Sequence, residues 1–406
     1  MKRKRRRIVW LSGFFGLVCL FLLPVSRNRP GAGTVAYAGE AEIQTNETAN
    51  GQEQTEWAYS ADDYDFRAIQ DFLDGLSEAS MPSFSSLVKS LAAGDAQPAL
   101  EAAGEILRGL FGSQIENGKA VLIRVMILAV SAALFSSIAS VFCDTQISQS
   151  AWFVMYLLLS GTLLSGFGSC CSLNIACLER LFLFVRLLVP AFSLALTGIC
   201  GAAGVSVWYE VTFLMIAAVD WLFLSVLIPG IRIYVCLYLL NELTGEDYLS
   251  GLLELMQMLF DWLMKTVGGV VIGMQVIQGL ILPAAGQLKG QFISRLIQAV
   301  PGIGSGVRSA SELLFGTGIL IKNGIGAAGC LVIVLICLAP VLQTGVVTIM
   351  YYAVGAAVQP VCDDRIKNCI AGTAYGIRML LKASAMAAFL FAVSIALICA
   401  FTGRIF

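Results

Sequence analysis

Long apolar stretches alternate with short polar ones over the last two thirds of the chain, from Lys119 onward. Many of these stretches reach the length of about 20 residues that an α-helix needs to cross a bilayer. The pattern therefore predicts an all-α, polytopic helical membrane protein whose membrane domain occupies residues 119–406. The predicted single spans lie at about 120–142, 150–171, 181–203, 207–230, 267–288 and 383–403.

The apolar stretch 325–360 is too long for one ordinary crossing. As a straight helix it would measure roughly 52 Å, against a hydrocarbon core of about 30 Å. Pro340 lies near its middle and has no backbone N–H to donate. We therefore predict a tight pair of spans folded at Pro340, which gives eight spans in all, with seven as the alternative.

The distribution of Lys and Arg favours eight spans over seven. With an exported N-terminus, eight crossings place the basic segments 289–324 and 361–382 in the cytoplasm, where basic loops are preferred. The more acidic segment 231–266 then lies outside. The first cytoplasmic loop, 143–149, contains no basic residue, so the charge rule gives no support to the early part of this topology.

Residues 1–38 are predicted to form a signal peptide. A basic run from Lys2 to Arg7 precedes an apolar stretch from Ile8 to Leu23, which is short for a spanning helix. Ala36-Tyr37-Ala38 offers a cleavage site, although it lies unusually far from the apolar stretch. A retained anchor is the alternative, and both interpretations export the residues that come after position 38.

Residues 39–118 form a predicted acidic extracytoplasmic region. Fifteen acidic residues stand against three basic ones in 39–117, which argues against nucleic acid as a partner. The first 20 or so residues are too polar to bury a core and are predicted to be disordered. Apolar residues at three- and four-residue spacings then predict small amphipathic helices, at about 66–76, 84–91 and 98–111.

Composition narrows the function classes. Hydrophobic residues make up 58% of the chain and charged residues 13%, with a mean hydropathy of +0.81. The sequence has no histidine and no GxxxxGK[ST] motif, which removes His-dependent catalysis, HExxH metal sites and a P-loop of its own. We therefore predict a protein that is not an enzyme and that holds no metal or cofactor.

The twelve cysteines are predicted to be structural. Most fall inside apolar spans, where cysteine behaves as a small hydrophobic residue, and no CxxC pair is present. The group Cys170, Cys171 and Cys177 lies in a loop predicted to face outside. A disulfide involving this group is therefore left open.

Ionisable residues inside predicted spans are the first candidate site. Charge in hydrocarbon is costly and seldom persists without a partner. Arg186 lies in the third span, and Glu210 and Asp220 in the fourth, so Arg186 can pair with either acid. Arg124 is a further charge, in the first span. Such a group either lines a polar path or forms a static ion pair that locks two helices together.

A polar stripe at 247–265 is the second candidate. Asp247, Glu254 and Asp261 recur at helical spacing among Leu, Met, Phe and Trp residues, which predicts an amphipathic helix with an acidic face. Helices that bind lipid headgroups usually present Lys and Arg instead. The stripe is therefore a candidate partner-facing surface or the wall of a water-filled passage, with a plain surface helix as the alternative.

The segment 289–324 is predicted to be an interrupted helix. A short helix ends at Pro301, and Gly302, Gly304 and Gly306 follow in a run that is too loose for a helix. Ser309 and Glu312 form a capping box for a second short helix, from Leu313 to Ile321. Two half-helices around a Gly/Pro break are typical of transporters, and the break is a candidate hinge.

The same part of the chain carries four short motifs: Phe292-Ile293, Val300-Pro301-Gly302-Ile303-Gly304, Leu320-Ile321-Lys322-Asn323-Gly324-Ile325-Gly326 and Gln359-Pro360. With the export signal, the acidic region and the multi-span body, they resemble the stage III sporulation protein AE family of endospore-forming bacteria. The resemblance covers most of the chain after residue 120 and is sharpest at 290–360. Before residue 120 the chain matches the family only in character.

The resemblance implies a multi-pass subunit, in the mother-cell membrane around the forespore, of a sporulation channel or secretion-like complex that links the two cells. The implied partners are other membrane proteins of the stage III operon, an ATPase-like protein and a forespore-side protein. It also implies a channel-like or transporter-like role, with a non-conducting scaffold as the alternative. The family brings no established catalytic residues, so none are assigned.

Overall fold

A computed structural model describes residues 66–75, 83–92, 145–200, 202–244, 248–298, 304–359 and 364–403, with positions 104, 123, 126, 127, 130 and 131. The chain divides into Met1–Glu56 and Trp57–Phe406, and every described residue belongs to the second unit. The predicted signal peptide, its cleavage site, the disordered stretch and Arg124 lie outside the described residues. The predicted span 120–142 is described at only five positions.

Two short helices precede the long ones, as the amphipathic pattern predicted. Helix α1 spans Arg67–Asp74 and helix α2 spans Phe84–Ala92. The side chain of Gln70 on α1 accepts a 2.8 Å hydrogen bond from the backbone N–H of Phe84, which satisfies a free donor at the start of α2. Phe66 packs edge-to-face on Phe84, with ring centroids 5.2 Å apart. The predicted helices at 66–76 and 84–91 are therefore confirmed.

Long helices account for the rest of the described chain. In order they are α3 (Thr145–Cys200), α4 (Ala202–Leu222), a π-helical turn (Phe223–Leu227), α5 (Ile228–Thr244), α6 (Ser250–Gln298), α7 (Gly304–Val358) and α8 (Asp364–Gly403). Every described element is helical, so the all-α prediction is confirmed.

Helix α3 corrects the predicted division of its region into two spans. The segments 150–171 and 181–203 were expected to be separate, with an outside loop at 172–180, but one helix runs from Thr145 to Cys200. No Gly or Pro interrupts 172–180, so the backbone ladder continues through it. Asn174, which reads as a loop residue, donates instead to the carbonyl of Cys170 on the preceding turn, at 2.8 Å.

Helix α7 corrects the predicted fold at Pro340. The helix continues without a break from Gly304 to Val358, with Pro340 inside it. Proline removes one ladder hydrogen bond, but buried helices tolerate this when neighbouring groups pack around the site. The same helix corrects the predicted loose segment, because Gly304 and Gly306 belong to its first turns. The second half-helix was expected to begin only at Leu313.

The long helices alternate in direction along the chain, with α4, the π-helical turn and α5 running as one continuous helix. At one end of the bundle, the Tyr156 hydroxyl of α3 donates a 2.5 Å hydrogen bond to the carbonyl of Leu239 on α5, and the Cys369 thiol of α8 lies 3.0 Å from the same hydroxyl. At the other end, Phe192 of α3 and Cys399 of α8 both approach Gly326 of α7. We call these the Tyr156 end and the Cys399 end. Helix α8 is central, since it packs against α3, α5, α6 and α7.

The short helices lie at the Cys399 end. A Cβ atom on Gly324 of α7 would lie 2.8 Å from the carbonyl oxygen of Val88, so α2 sits directly on the backbone of α7. Phe72 of α1 stacks on Phe184 of α3 with ring centroids 5.9 Å apart. These contacts contradict the predicted topology, which placed the acidic region outside and the segment 289–324 in the cytoplasm.

A second pair of segments also meets although predicted on opposite sides. The predicted outside segment 231–266 packs on the predicted cytoplasmic segment 361–382. The Asn368 amide lies 3.4 Å from a carboxylate oxygen of Glu242, and Lys382 lies 3.2 Å from Asp261. The assignment of these segments to opposite sides is therefore wrong, because charge counts were applied to helix ends that the bundle brings together.

Four stretches of the described chain are long and apolar enough to cross a membrane, namely Val205–Thr244, Ser250–Gly279, Ile319–Val358 and Asp364–Ala400. Their outer surfaces carry large apolar side chains, such as Leu214 and Ile349, each 70% exposed. A surface of this kind suits a lipid environment. The predicted count of eight spans is not confirmed.

Candidate functional site

An ion pair joins two neighbouring long helices. The guanidinium of Arg186 on α3 donates a hydrogen bond to the carboxylate of Asp220 on α4. The two side chains are 37% and 21% exposed, so both are partly removed from solvent. Pairing lowers the cost of placing either charge among apolar helices. The structure thus brings together two of the three charged residues that the sequence singled out.

A π-helical turn follows the acid of this pair. It spans Phe223–Leu227, begins three residues after Asp220 and ends two residues before Pro229. Proline offers no N–H to the α-helical ladder. A π turn inserts an extra residue into a helix and is often found at functional sites. Here it lets the helix change register between Asp220 and the α5 residues that face α6.

A small cavity lies beside the ion pair. Its volume is about 30 Å³, and its lining includes Val185, Val189 and Ile216, which are close neighbours of Arg186 and Asp220 in sequence. The space would hold one or two water molecules, but only apolar atoms face it. Apolar cavities of this kind stay dry. The present conformation therefore has no hydrated route through this space.

Buried polar atoms without partners lie near the cavity, on its lining residues Trp208 and Gln275 and on nearby Gln278, although they do not face it. The Trp208 indole N–H, the Gln275 side-chain oxygen and the Gln278 side-chain nitrogen are buried without a hydrogen bond. The Thr212 hydroxyl makes a 3.3 Å hydrogen bond to the other end of the Gln278 amide. A buried polar atom left unpaired costs about 1–3 kcal/mol. The contact between α4 and α6 therefore contains polar groups that another arrangement of these helices could satisfy better.

A buried polar network ties three helices together near the middle of the bundle. The Asn174 amide of α3 donates a 2.9 Å hydrogen bond to the hydroxyl of Thr344 on α7, and its oxygen accepts a 2.8 Å hydrogen bond from Ser384 on α8. All three side chains are at most 1% exposed. Hydrogen bonds between helices hold membrane bundles in a defined arrangement. This network was not predicted from the sequence.

Lys322 is a fully buried cation on α7. Its ammonium group donates a 3.2 Å hydrogen bond to the carbonyl of Cys399, close to the C-terminal end of α8. A cation is favourable there because the carbonyl end of a helix carries partial negative charge. The sequence placed Lys322 in a cytoplasmic loop, whereas the structure places it inside the bundle at the Cys399 end.

The cysteines do not form the disulfide that the sequence left open. Cys170, Cys171 and Cys177 are buried free thiols in α3. The closest thiol pair among the described residues joins α3 to α7, with 3.8 Å between the sulfur atoms of Cys177 and Cys337. Within the same described residues, no cluster of three His, Cys, Asp or Glu side chains could hold a metal ion.

The remaining predicted site residues are scattered. Glu210 is exposed on α4 and makes no ion pair within the described chain. Glu254 is exposed on α6, whereas Asp261 of the same stripe turns inward to Lys382. Of the candidate hinge residues, Gly304 and Gly306 belong to the first turns of α7. Asp247, Pro301 and Gly302 lie outside the described residues.

Comparison with known proteins identifies the family. The family model for stage III sporulation protein AE matches residues 82–402. The chain is also 19% identical over 297 residues to "Stage III sporulation protein AE" of Bacillus subtilis (strain 168). The aligned residues cover 71% of this chain and 72% of that protein. No solved structure matches the chain. The match to the family model extends over α2 and every long helix described above, and the chain belongs to the stage III sporulation protein AE family.

Proposed function

We propose that this chain is a membrane subunit of the sporulation complex that links mother cell and forespore, and that it forms part of a channel-like or transporter-like path. The observation that carries the proposal is the set of polar side chains buried between apolar helices. Asn174, Gln275, Lys322, Thr344 and Ser384 are each at most 1% exposed. Polar residues inside a membrane bundle are costly and commonly mark the route of a solute or ion.

The Arg186–Asp220 pair is the proposed gate of this path. The dry cavity beside it suits a closed state, and the unpaired polar atoms of Trp208, Gln275 and Gln278 would gain partners if α4 shifted relative to α6. The π-helical turn after Asp220 would allow that shift. The sequence carries no P-loop, so energy for movement would come from an ATPase-like partner.

Location and partners complete the proposal. The chain would sit in the mother-cell membrane around the forespore, beside other membrane proteins of the stage III operon. The connections between α5 and α6 and between α7 and α8, at the Tyr156 end, would face the cytoplasm, since Arg365 and Lys367 follow the second connection. Helices α1 and α2, at the Cys399 end, would then be extracytoplasmic. This orientation agrees with an export signal at the N-terminus.

A non-conducting scaffold is the second candidate. Two polar contacts favour it, because their groups already have partners. Arg186 is paired with Asp220, and the Asn174 amide is hydrogen-bonded through both its nitrogen and its oxygen. A satisfied ion pair and a satisfied network can act simply to fix helices in place. In that case the chain would hold the other subunits without forming a passage.

Charge exchange separates the two candidates. The chromosomal copy in the native host is replaced by Asp220→Asn, by Arg186→Gln, or by the double exchange Arg186→Asp/Asp220→Arg. Heat-resistant spores are counted, and the complex is recovered through a tag on the chain. A polar path predicts that the double exchange restores recovery of the complex but not spore formation. A static pair predicts that it restores both. Normal sporulation with Asp220→Asn would contradict any role for the pair.

A further inference from the structure

Lys265 occupies an unusual position on the outside of α6. It is exposed, and large apolar side chains are exposed on both sides of it along the helix, with Leu255 59%, Trp262 59%, Val270 61% and Ile277 51% exposed. From Leu255 to Ile277 the helix rises by about 33 Å, close to the hydrocarbon thickness of about 30 Å. Lys265 therefore lies near the centre of an exposed apolar strip that suits lipid.

The neighbouring charges do not balance Lys265. Asp261 lies one turn earlier on α6, but its carboxylate is bound by Lys382 of α8 at 3.2 Å. No described carboxylate lies within ion-pair distance of Lys265 itself. An isolated lysine at the centre of a membrane helix costs about 2.5–3.5 kcal/mol on insertion scales, and a site near the centre limits relief by reaching toward the headgroups.

We propose that the outer face of α6 around Trp262, Lys265, Gly269 and Gly273 docks a membrane helix of a partner protein that presents an aspartate or glutamate to Lys265. The proposal rests on the proposed function, in which the chain works within a membrane complex. The positive charge of Lys265, which has no carboxylate partner among the described residues, favours a partner helix that carries an acidic side chain. The backbone is open to a close approach, because a Cβ atom on Gly269 or Gly273 would meet nothing within 4 Å.

A two-fold pair of α6 helices does not fit the face. In a two-fold symmetric pair of α6 helices, Lys265 would meet Lys265. In a ring of copies around an axis along the membrane normal, every copy sits at the same depth. An acid of one copy can therefore meet Lys265 of the next only if it lies at the same depth as Lys265. The exposed acid Glu210 lies within one turn of Thr212, which contacts Gln278. That level is roughly 20 Å along α6 from Lys265, too far for an ion pair.

The exposed acid Glu179 of α3 lies nearer to the level of Lys265. This level follows from two contacts, the pairing of Arg186 with Asp220 and the approach of Gly230 to Phe260. A ring of copies that pairs Glu179 with Lys265 is therefore the rival occupant, and a crosslinked dimer of this chain would identify it.

Photo-crosslinking from matched tryptophan positions tests the proposal. The full-length chain, expressed in its sporulating native host, carries p-benzoylphenylalanine in place of Trp262 or, as control, Trp221. The two tryptophans are 59% and 58% exposed. Trp221 of α4 and Lys265 of α6 lie in the same section of the bundle. This section is bounded by the contact of Thr212 with Gln278 and by the contact of Gly230 with Phe260. We expect position 262, but not 221, to crosslink to a partner's membrane helix that contains an acid near the crosslinked residue.

Charge variants complete the test. Lys265→Arg should keep the crosslink, whereas Lys265→Glu should lower its yield at least about tenfold, since an unpaired charge at a contact costs more than one decade of affinity. Changing the partner's acid to lysine should restore the yield with Lys265→Glu.

Four results would overturn the proposal: a crosslink to lipid alone, a crosslinked dimer of this chain, an internal crosslink to residues 39–65, or equal yield with Lys265→Glu. Deleting the whole chain and counting spores tests the proposed function separately. A failed interface together with a sporulation defect on deletion would therefore leave the proposed function standing.

Discussion

Asp261 of α6 and Lys382 of α8 form an ion pair, with 3.2 Å between the carboxylate oxygen and the ammonium nitrogen. Asp261 therefore faces another helix of its own chain, although it belongs to the acidic stripe that was a candidate partner-facing surface, with a plain surface helix as the alternative. Toward the Tyr156 end, Asn368 of α8 approaches Glu242 of α5. Together the two contacts align α8 with the 231–266 segment and show which helix ends lie at the same end of the bundle.

Cysteine labelling can check this arrangement. Tyr248→Cys and Asp364→Cys lie in or next to the two connections between helices at the Tyr156 end, and both native side chains are exposed. Both should react with a membrane-impermeant maleimide from the same side. Lys89→Cys, on α2 at the Cys399 end, should react only from the opposite side. Labelling of positions 248 and 364 from different sides would contradict the packing of α5 against α8.

The polar network should contribute measurably to stability. Asn174→Ala removes the hydrogen bonds to Thr344 and Ser384, so we expect the free energy of unfolding in detergent to fall by about 1–2 kcal/mol. Thr162→Ala is the control, because the Thr162 hydroxyl is exposed and bonds only to Leu158 of its own helix. Equal stability of the two variants would mean that the network does not hold α3, α7 and α8 together.

A glycine on α8 provides a test in which two effects have opposite signs. Helix propensity alone predicts that Gly372→Ala stabilises the protein by up to about 1 kcal/mol. A Cβ atom at this position would overlap the ring of Tyr238 on α5, and such overpacking costs about 1–3 kcal/mol. We expect a net loss, measured as a lower melting temperature in detergent.

Gly161→Ala is the matched control for that substitution. Gly161 lies on α3, and a methyl group added there would meet nothing within 4 Å, so only the propensity effect applies. We expect this variant to be as stable as the natural chain or slightly more stable. A gain of stability for Gly372→Ala as well would show that α5 and α8 are further apart than the overlap with Tyr238 requires.

The thiols of Cys177 and Cys337 should form a disulfide under mild oxidation. Their sulfur atoms lie 3.8 Å apart, and a bond requires them to close to about 2.05 Å. Copper phenanthroline treatment of membranes, followed by mass spectrometry without reduction, should yield one linked peptide pair from α3 and α7. Cys236, buried on α5, should remain a free thiol and serves as the internal control. Linkage of Cys177 to a different cysteine would contradict the register of α3 against α7.

The sequence predicted local structure well where the periodic pattern was complete. The spacings that start at Phe66 and Phe84 predicted α1 and α2 to within two residues at each end. The pairing of Arg186 with an acid of the next span followed from the cost of charge in hydrocarbon. These inferences depend on neighbours within a few turns, which the chain order displays directly.

Long-range features could not be predicted in the same way. Dividing apolar stretches by membrane thickness assumes that each helix ends where a span ends, yet α3 and α7 each continue well beyond one span. The burial of Asn174 and Lys322 depends on which helices surround them, and no local pattern records that. An asparagine midway between two apolar stretches was a weak signal for the network, because it suits a loop equally well.

The π-helical turn between α4 and α5 acts as a spacer of one residue. Upstream of it Asp220 is aimed at α3, while downstream Gly230 lies against Phe260 of α6. Because the π turn takes up one extra residue, deleting Ser225 would leave a regular α-helix whose two halves keep nearly the same relative orientation. Deleting instead one residue of the regular helix between Asp220 and the π turn would rotate Asp220 by about 100° relative to α5 and point its carboxylate away from Arg186.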